Sequence, residues 1–355
     1  MPDPRVAMPS DQADAVTADS DGGASGISAS QAAGPAGRRV LTLALKLIGS
    51  KWIKIGFVVC AVGLAAYSGA EDWKRIWPAL TSLGVPIVLG ALACGLLALA
   101  TTAMVWRALL GGLGSPLPIR TAAGILFVGQ LGKYLPGSIW PVLAQMELGR
   151  AHDVPRPRSA SASVLAMVLS VITGLLTALV TLPFVAGSMP YRWALLAAPV
   201  LLVLLYPRVL NGIMAWLLRL ARQPQLEMTL TARTLVRALA WSFGTWICFG
   251  LQIWLLATQL GAPAGKTMVL AIGGFALAWS VGFIVVIAPA GAGVRDVLLL
   301  LMLGLVLSSA KATAVMITSR AVLTLADLIA AAVAARLARQ ARRSVDDLGV
   351  RPDLP

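Results

Sequence analysis

Gly129-Gln130-Leu131-Gly132-Lys133-Tyr134-Leu135-Pro136-Gly137-Ser138-Ile139-Trp140-Pro141 is the stretch that decides how this chain folds. It separates two apolar pieces, Thr121–Leu131 and Ile139–Leu148. Each is about half the roughly 20 residues that a helix needs to cross a bilayer. Ser138 is suited to cap the returning half-helix, and Pro141 falls in its first turn, where a missing N–H costs little. The pattern predicts a re-entrant helical hairpin. Irregular backbone at membrane depth is tolerated only beside protein or a water-filled cavity, so the Lys133–Ser138 break is a candidate cavity wall. A half-helix N-terminus aimed inward offers free N–H groups to an anion, and Lys133 adds a full charge beside it.

Charge counting outward from this stretch sets the topology. With the N-terminus inside (Arg38, Arg39, Lys46, Lys51, Lys54), the second span returns to the cytoplasm at Arg107 and Arg120. A hairpin then keeps Arg150, Arg156 and Arg158 on that same side, in line with the positive-inside rule. The same count places Arg208, Arg219, Arg222, Arg233 and Arg237 inside, with Arg336, Arg339, Arg342 and Arg343. The expected spans are Ile53–Gly69, Gly84–Trp106, Ser161–Pro183, Trp193–Tyr206, Val236–Leu260, Met268–Ala288, Val294–Leu307 and Ala312–Ala335. The fold class is therefore an all-α polytopic membrane protein of about eight transmembrane helices plus one re-entrant hairpin, with both termini cytoplasmic. Residues 1–37 read as a disordered tail, 38–336 as the membrane domain and 337–355 as a short cytoplasmic tail. Arg208, Asn211, Ala215, Arg219 and Arg222 recur at helical spacing opposite Leu210, Ile213, Met214, Leu217 and Leu220. That amphipathic stretch either lies on the interface or continues the preceding helix.

Composition agrees. Of 355 residues, 58% are hydrophobic and 12% charged, with a net charge of +14. A soluble chain carries about twice that share of charge. The basic surplus in so apolar a chain points to membrane loops facing anionic lipid, and not to nucleic acid. Cys60, Cys94 and Cys248 sit singly in apolar runs and His152 is the one histidine, so no metal site, disulfide framework or cofactor is expected. Gly261-Ala262-Pro263-Ala264-Gly265-Lys266-Thr267 is one residue short of a P-loop and has no strand before it.

Charges inside the apolar segments are the remaining candidates. A second Pro/Gly-rich break, Ala288-Pro289-Ala290-Gly291-Ala292-Gly293-Val294-Arg295-Asp296, also carries a cation and opens a short helix. It is either re-entrant or a turn between spans, and paired interruptions of this kind point to a transporter site. Arg320 and Asp327 lie seven residues apart on one face of the last span. Intramembrane charges are costly and face a partner or an aqueous path. Here they either join helices or line such a path, with Glu147 a further possible partner. Ser242, Thr245, Gln252 and Gln259 form a polar stripe that interhelical hydrogen bonds account for.

The Gly129–Pro141 stretch, followed by Glu147 and Arg150, resembles the most recognisable segment of the lysylphosphatidylglycerol synthetase transmembrane-region family, also called flippase-like. Pro289–Asp296 resembles its second motif, and the likeness runs from about Lys46 to Arg336. It implies a polytopic inner-membrane protein related to the part of the synthetase that moves lipids between leaflets. Bifunctional synthetases carry a soluble aminoacyl-transferase domain after the membrane part. About twenty residues follow the last span here, so lipid aminoacylation is not expected.

Residues and resemblance together point to translocation of an anionic or lipid-linked phosphate lipid. The candidate ligand-binding residues are Lys133, Tyr134, Pro136, Gly137, Ser138, Trp140, Glu147, Arg295, Asp296, Arg320 and Asp327. Lys133, Arg295 and Arg320 would attract the phosphate, while Glu147, Asp296 and Asp327 would hold those bases in place. Partners would be membrane lipids, with a homo-oligomer or a lipid-modifying enzyme also possible. The alternatives are a glycosyl- or phosphotransferase using a polyprenyl-phosphate donor, with Glu71, Asp72 or Glu147 as its only carboxylate base, and a non-transporting membrane scaffold.

Overall fold

A computed structural model describes residues 73–134, 139–184, 191–220, 230–284 and 293–347. Regular structure among the described residues is entirely helical. After a short helix at 73–81 come α1 (Val85–Gly112), α2 (Ile119–Gln130), α3 (Trp140–Arg150), α4 (Arg156–Thr181) and α5 (Tyr191–Leu204). Then follow α6 (Pro207–Leu220), α7 (Ala232–Gln259), α8 (Ala264–Ile284), α9 (Val294–Leu303) and α10 (Ser309–Asp347). Five helices are long and apolar enough to cross a membrane: α1, α4, α7, α8 and α10. They become six if the pair α5 and α6, bent by 72° at its break, is one span.

Helix starts follow local chemistry. Pro86 and Pro157 occupy first turns, and Thr231 caps α7 by accepting from the Thr234 N–H at 3.3 Å. Glycine sets the packing. Gly90 lies against Leu255, Thr101 bonds to Thr245 at 2.9 Å, and Gly112 meets Thr234. This register, rising on α1 as it falls on α7, means two antiparallel helices in contact along their whole length. Gly174 against Ser280 and Thr181 against Gly273 pair α4 with α8 in the same sense. Small residues let backbones approach closely, and van der Waals contact then supplies the association that the hydrophobic effect cannot supply in lipid. The expected polar stripe is used this way: Ser242 bonds Thr173 at 2.7 Å, and Gln252 donates to the Ser319 carbonyl at 3.3 Å.

The hairpin is α2, a 3₁₀ turn (Leu131–Tyr134) and α3. Its two arms touch where glycine permits: a Cβ on Gly132 would stand 2.9 Å from the Trp140 backbone, and one on Gly129 2.6 Å from Gln145 Cγ. A buried polar network ties it down. Trp106 Nε1 donates to Ser163 at 3.0 Å, Ser163 donates to the Gln145 side chain, and Ser159 donates to the Gln145 carbonyl at 3.0 Å. At the base, Arg107 bonds the Leu117 carbonyl and Arg158 the Gly114 carbonyl, at 2.8 and 3.1 Å.

Some expectations change. The returning half-helix has Ile139 at its N-cap and no side-chain cap, with Pro141 in the first turn as read; Ser138, Pro136 and Gly137 lie outside the described residues. α9 has ten residues, a rise of about 15 Å. The expected span Val294–Leu307 thus contains a half-length helix, ended at Gly304 where the chain turns. The last helix does not stop at residue 336 but runs on to Asp347, into the expected tail. A 72° bend before α6 means that Arg208–Leu220 is no straight continuation of the preceding helix, and Arg222 lies outside the described residues. The first expected span and the tail 1–37 lie outside the described residues.

Candidate functional site

Three elements bring charge to one place. The hairpin tip contributes Lys133 and Tyr134, the start of α9 contributes Arg295 and Asp296, and α10 contributes Arg320 and Asp327. On α10, Arg320, Thr324 and Asp327 follow i, i+4, i+7 spacing and so share a face.

Local chemistry fixes each group. Gly293 adopts φ 99°, in the left-handed region that glycine tolerates, and turns the chain into α9. Asp296 then accepts a bond from the Gly293 N–H at 3.1 Å, capping that helix. Gly282 of α8 lets Arg295 approach: a Cβ there would lie 3.0 Å from Arg295 Cβ. Lys133 and Tyr134 fall on the 3₁₀ turn that the hairpin carries between α2 and the break.

Two ion pairs result. Lys133 Nζ lies 2.7 Å from Asp327 Oδ2, and the Tyr134 hydroxyl donates to the same oxygen at 2.7 Å. Thr324 sits beside the same phenol. Arg320 grips Asp296 with two bonds, Nε to Oδ1 at 2.8 Å and Nη2 to Oδ2. Arg295 touches the cluster more loosely, its Nε 3.9 Å from Asp296 Oδ1, within electrostatic reach of Arg320, Tyr134 and Asp327. The side chain of Asp327 is 9% exposed and that of Asp296 19%, whereas Lys133 and Arg320 are each 36% exposed. The two carboxylates therefore lie deeper than Lys133 and Arg320, while Arg295 is 19% exposed, as deep as Asp296. Three cations against two carboxylates leave one net positive charge, which suits an anion carrying planar or clustered oxygens.

The structure corrects one sequence-based candidate. Glu147 does not hold Lys133, Arg295 or Arg320. It faces out at the hairpin base, where Arg156 Nη2 lies 2.7 Å from one oxygen and Arg150 Nη1 3.9 Å from the other. These cations, Arg156 foremost, keep its carboxyl below the usual range. The reason is reach: α3 turns Glu147 toward the start of α4, away from the tip. Nor do Arg320 and Asp327 pair with each other; two turns separate them and each meets another element. Trp140 lies at the start of α3, with its backbone against Gly132. Thr324 is the member that sequence reading passed over, although its spacing between the two charges was visible.

Gly261 is a left-handed turn residue between α7 and α8, with Lys266 and Thr267 in the first turns of α8. It makes an interhelical turn, and no phosphate loop. Glu71 and Asp72 lie outside the described residues.

The model of the family described as lysylphosphatidylglycerol synthase TM region matches residues 51–331. No curated protein matches the chain. The match spans most of the sequence, and the chain belongs to that family.

Proposed function

From this membership, which makes the chain a multi-pass integral membrane protein, we propose that it translocates an anionic or lipid-linked phosphate lipid between the leaflets of the cytoplasmic membrane. One observation carries the reading: Lys133 and Arg320 are more exposed than the acids that hold them, while Arg295 lies as deep as Asp296, so an approaching phosphate meets Lys133 and Arg320 first. Asp327 and Asp296 hold those bases in place before the lipid arrives, and reclaim them when it leaves. Binding is thereby kept reversible, as translocation requires. Eight spans, cytoplasmic termini and a hairpin entering from the cytoplasmic side belong to this proposal.

Reconstitution of the full chain tests it. Vesicles containing the protein should exchange a labelled phosphatidylglycerol between leaflets without changing it chemically. The neutral pair Lys133→Met with Asp327→Leu removes one ion pair whole, so it should fold while losing most of that exchange. Wild-type exchange in the well-folded pair variant would exclude this cluster from the lipid's path. Product formation from a polyprenyl-phosphate-linked sugar would replace translocation with a transferase reading.

A further inference from the structure

A second polar recess lies at the other end of the bundle. The helix at 73–81, the end of α7 and the start of α10 enclose a groove of about 570 Å³, lined among others by Arg75, Ser82, Gln259, Ser308 and Lys311. It stands at the N-terminal end of α1, whereas the hairpin base is held at that helix's C-terminal end by Arg158 on Gly114. A helix of 28 residues puts the two about 42 Å apart. Lys311 and Arg320 are nine residues apart on α10, two and a half turns, so they emerge on opposite faces. The groove is thus no extension of the charged cluster.

Its chemistry is cationic. Lys311 Nζ donates to the Leu260 carbonyl at 2.8 Å, which fixes the ammonium at the mouth and leaves two of its three protons for another acceptor. Gly261, at φ 93°, makes the turn that brings the Leu260 carbonyl to that nitrogen. Arg75 projects from the facing helix. Neither base has a carboxylate within 4.0 Å among the described residues. On Arg75's own helix, Trp73 and Trp77 stand exposed with ring centroids 5.8 Å apart, the placement of aromatic rings at a membrane–water interface. Two bases, neutral donors from Gln259 and Ser308, and interfacial rings beside them match a phosphate at lipid headgroup depth.

We propose that the Arg75–Lys311 groove binds a phosphate-bearing anion at the membrane surface opposite the hairpin base. The test uses the full chain in detergent, dihexanoyl phosphatidylglycerol and inorganic phosphate as probes, and tryptophan fluorescence as the readout. A saturable change is expected that disappears when Trp73 and Trp77 are both replaced by Phe. Arg75→Gln and Lys311→Gln should each weaken binding about tenfold. Arg320→Gln should leave it unchanged, which separates this site from the one proposed for translocation. A response to the lipid alone identifies a headgroup site, and a response to both probes identifies a general phosphate site; either supports the proposal. No saturable change, or equal affinity in wild type and Arg75→Gln, overturns it. Arg75 is exposed, so that variant decides the matter even if Lys311→Gln, which frees a carbonyl, does not fold.

Discussion

The two breaks in this bundle are both rich in Pro and Gly, and they turn opposite charges toward α10. The hairpin break brings a base, Lys133, to an acid on α10. The second break brings an acid, Asp296, to a base on α10. The hairpin's charge comes with a phenol that shares its load, while Asp296 does two tasks, capping its own helix through Gly293 and holding Arg320. α10 is therefore a joint that meets a base from one interruption and an acid from the other. What differs is the consequence of losing each. The hairpin is also secured along its arms, by Gly132 against Trp140 and by Gln145 in its hydroxyl network, and does not depend on its charge alone. The start of α9 has its cap and its ion pair in one carboxylate.

The sharpest way to break this comparison is to remove the two acids separately. Asp296→Ala should be the more damaging: it leaves Arg320 without its bidentate partner, about 3 kcal/mol at the low end for a pair only partly buried, and loses a cap contributing about 1 kcal/mol. Asp327→Ala should cost less than that sum, because it removes an ion pair whose base is equally exposed without also removing a helix cap. Thermal unfolding in nanodiscs measures both. If Asp327→Ala proves the more destabilising, the hairpin tip depends on its charge after all and the asymmetry is lost.

A second substitution sharpens the claim that the hairpin's arms hold it. Gly132→Ala places a methyl 2.9 Å from a backbone carbon, an atom that cannot rotate away as a side chain does. Overpacking of this kind costs about 1–3 kcal/mol. Prying the arms apart at the tip also moves Lys133, one residue on. Lipid exchange should therefore fall along with stability, although no charge has changed. Gly124→Ala on the same arm, where nothing lies within 4 Å of the new methyl, is the control and should be silent in both assays. Equal behaviour of the two variants would show that the close approach at Gly132 is not what shapes the hairpin.

Much of this was legible in the residues. Half-length apolar pieces around Gly132–Ser138 gave the hairpin to within about two residues at each arm, because helix-breaking residues and hydrophobic length act locally. The start of α6 was half-legible: its periodicity was plain, but the 72° bend that separates it from a continued helix depends on how α5 and α6 pack. The charges of the site were all visible and its pairing was not. Seven-residue spacing put Arg320 and Asp327 on one face and invited a pair between them, yet which acid meets which base is settled by how α9 and the hairpin approach α10, a tertiary fact. Gln145 was missed for the same reason. Its signal lay in a glutamine inside an apolar half-helix together with Ser159 and Ser163, one turn apart on the next helix, and those become a network only once α3 and α4 fold together.

The smallest effect sits at the hairpin base, and it completes the contrast between a tip held by a buried acid and a base held by an exposed one. Arg156 keeps the Glu147 carboxyl below its ordinary range, so the ion pair favours the charged form. A carboxyl whose value is lowered on folding adds stability that is fully present above its unfolded value, near pH 4.3, and is lost as pH falls through the lowered folded value. Wild type should therefore be slightly more stable than Glu147→Gln at pH 7. The gap should close on acidification through that range, while both proteins remain subject to every other titration alike. Because the side chains of Glu147 and Arg156 are at least half exposed, raised salt at neutral pH should close the same gap. Midpoint temperatures of the two proteins, compared at pH 7 and pH 3 and then in low and high salt, measure this difference. A gap that survives both acid and salt would mean that Glu147 stabilises the base through packing of its stem and not through its charge.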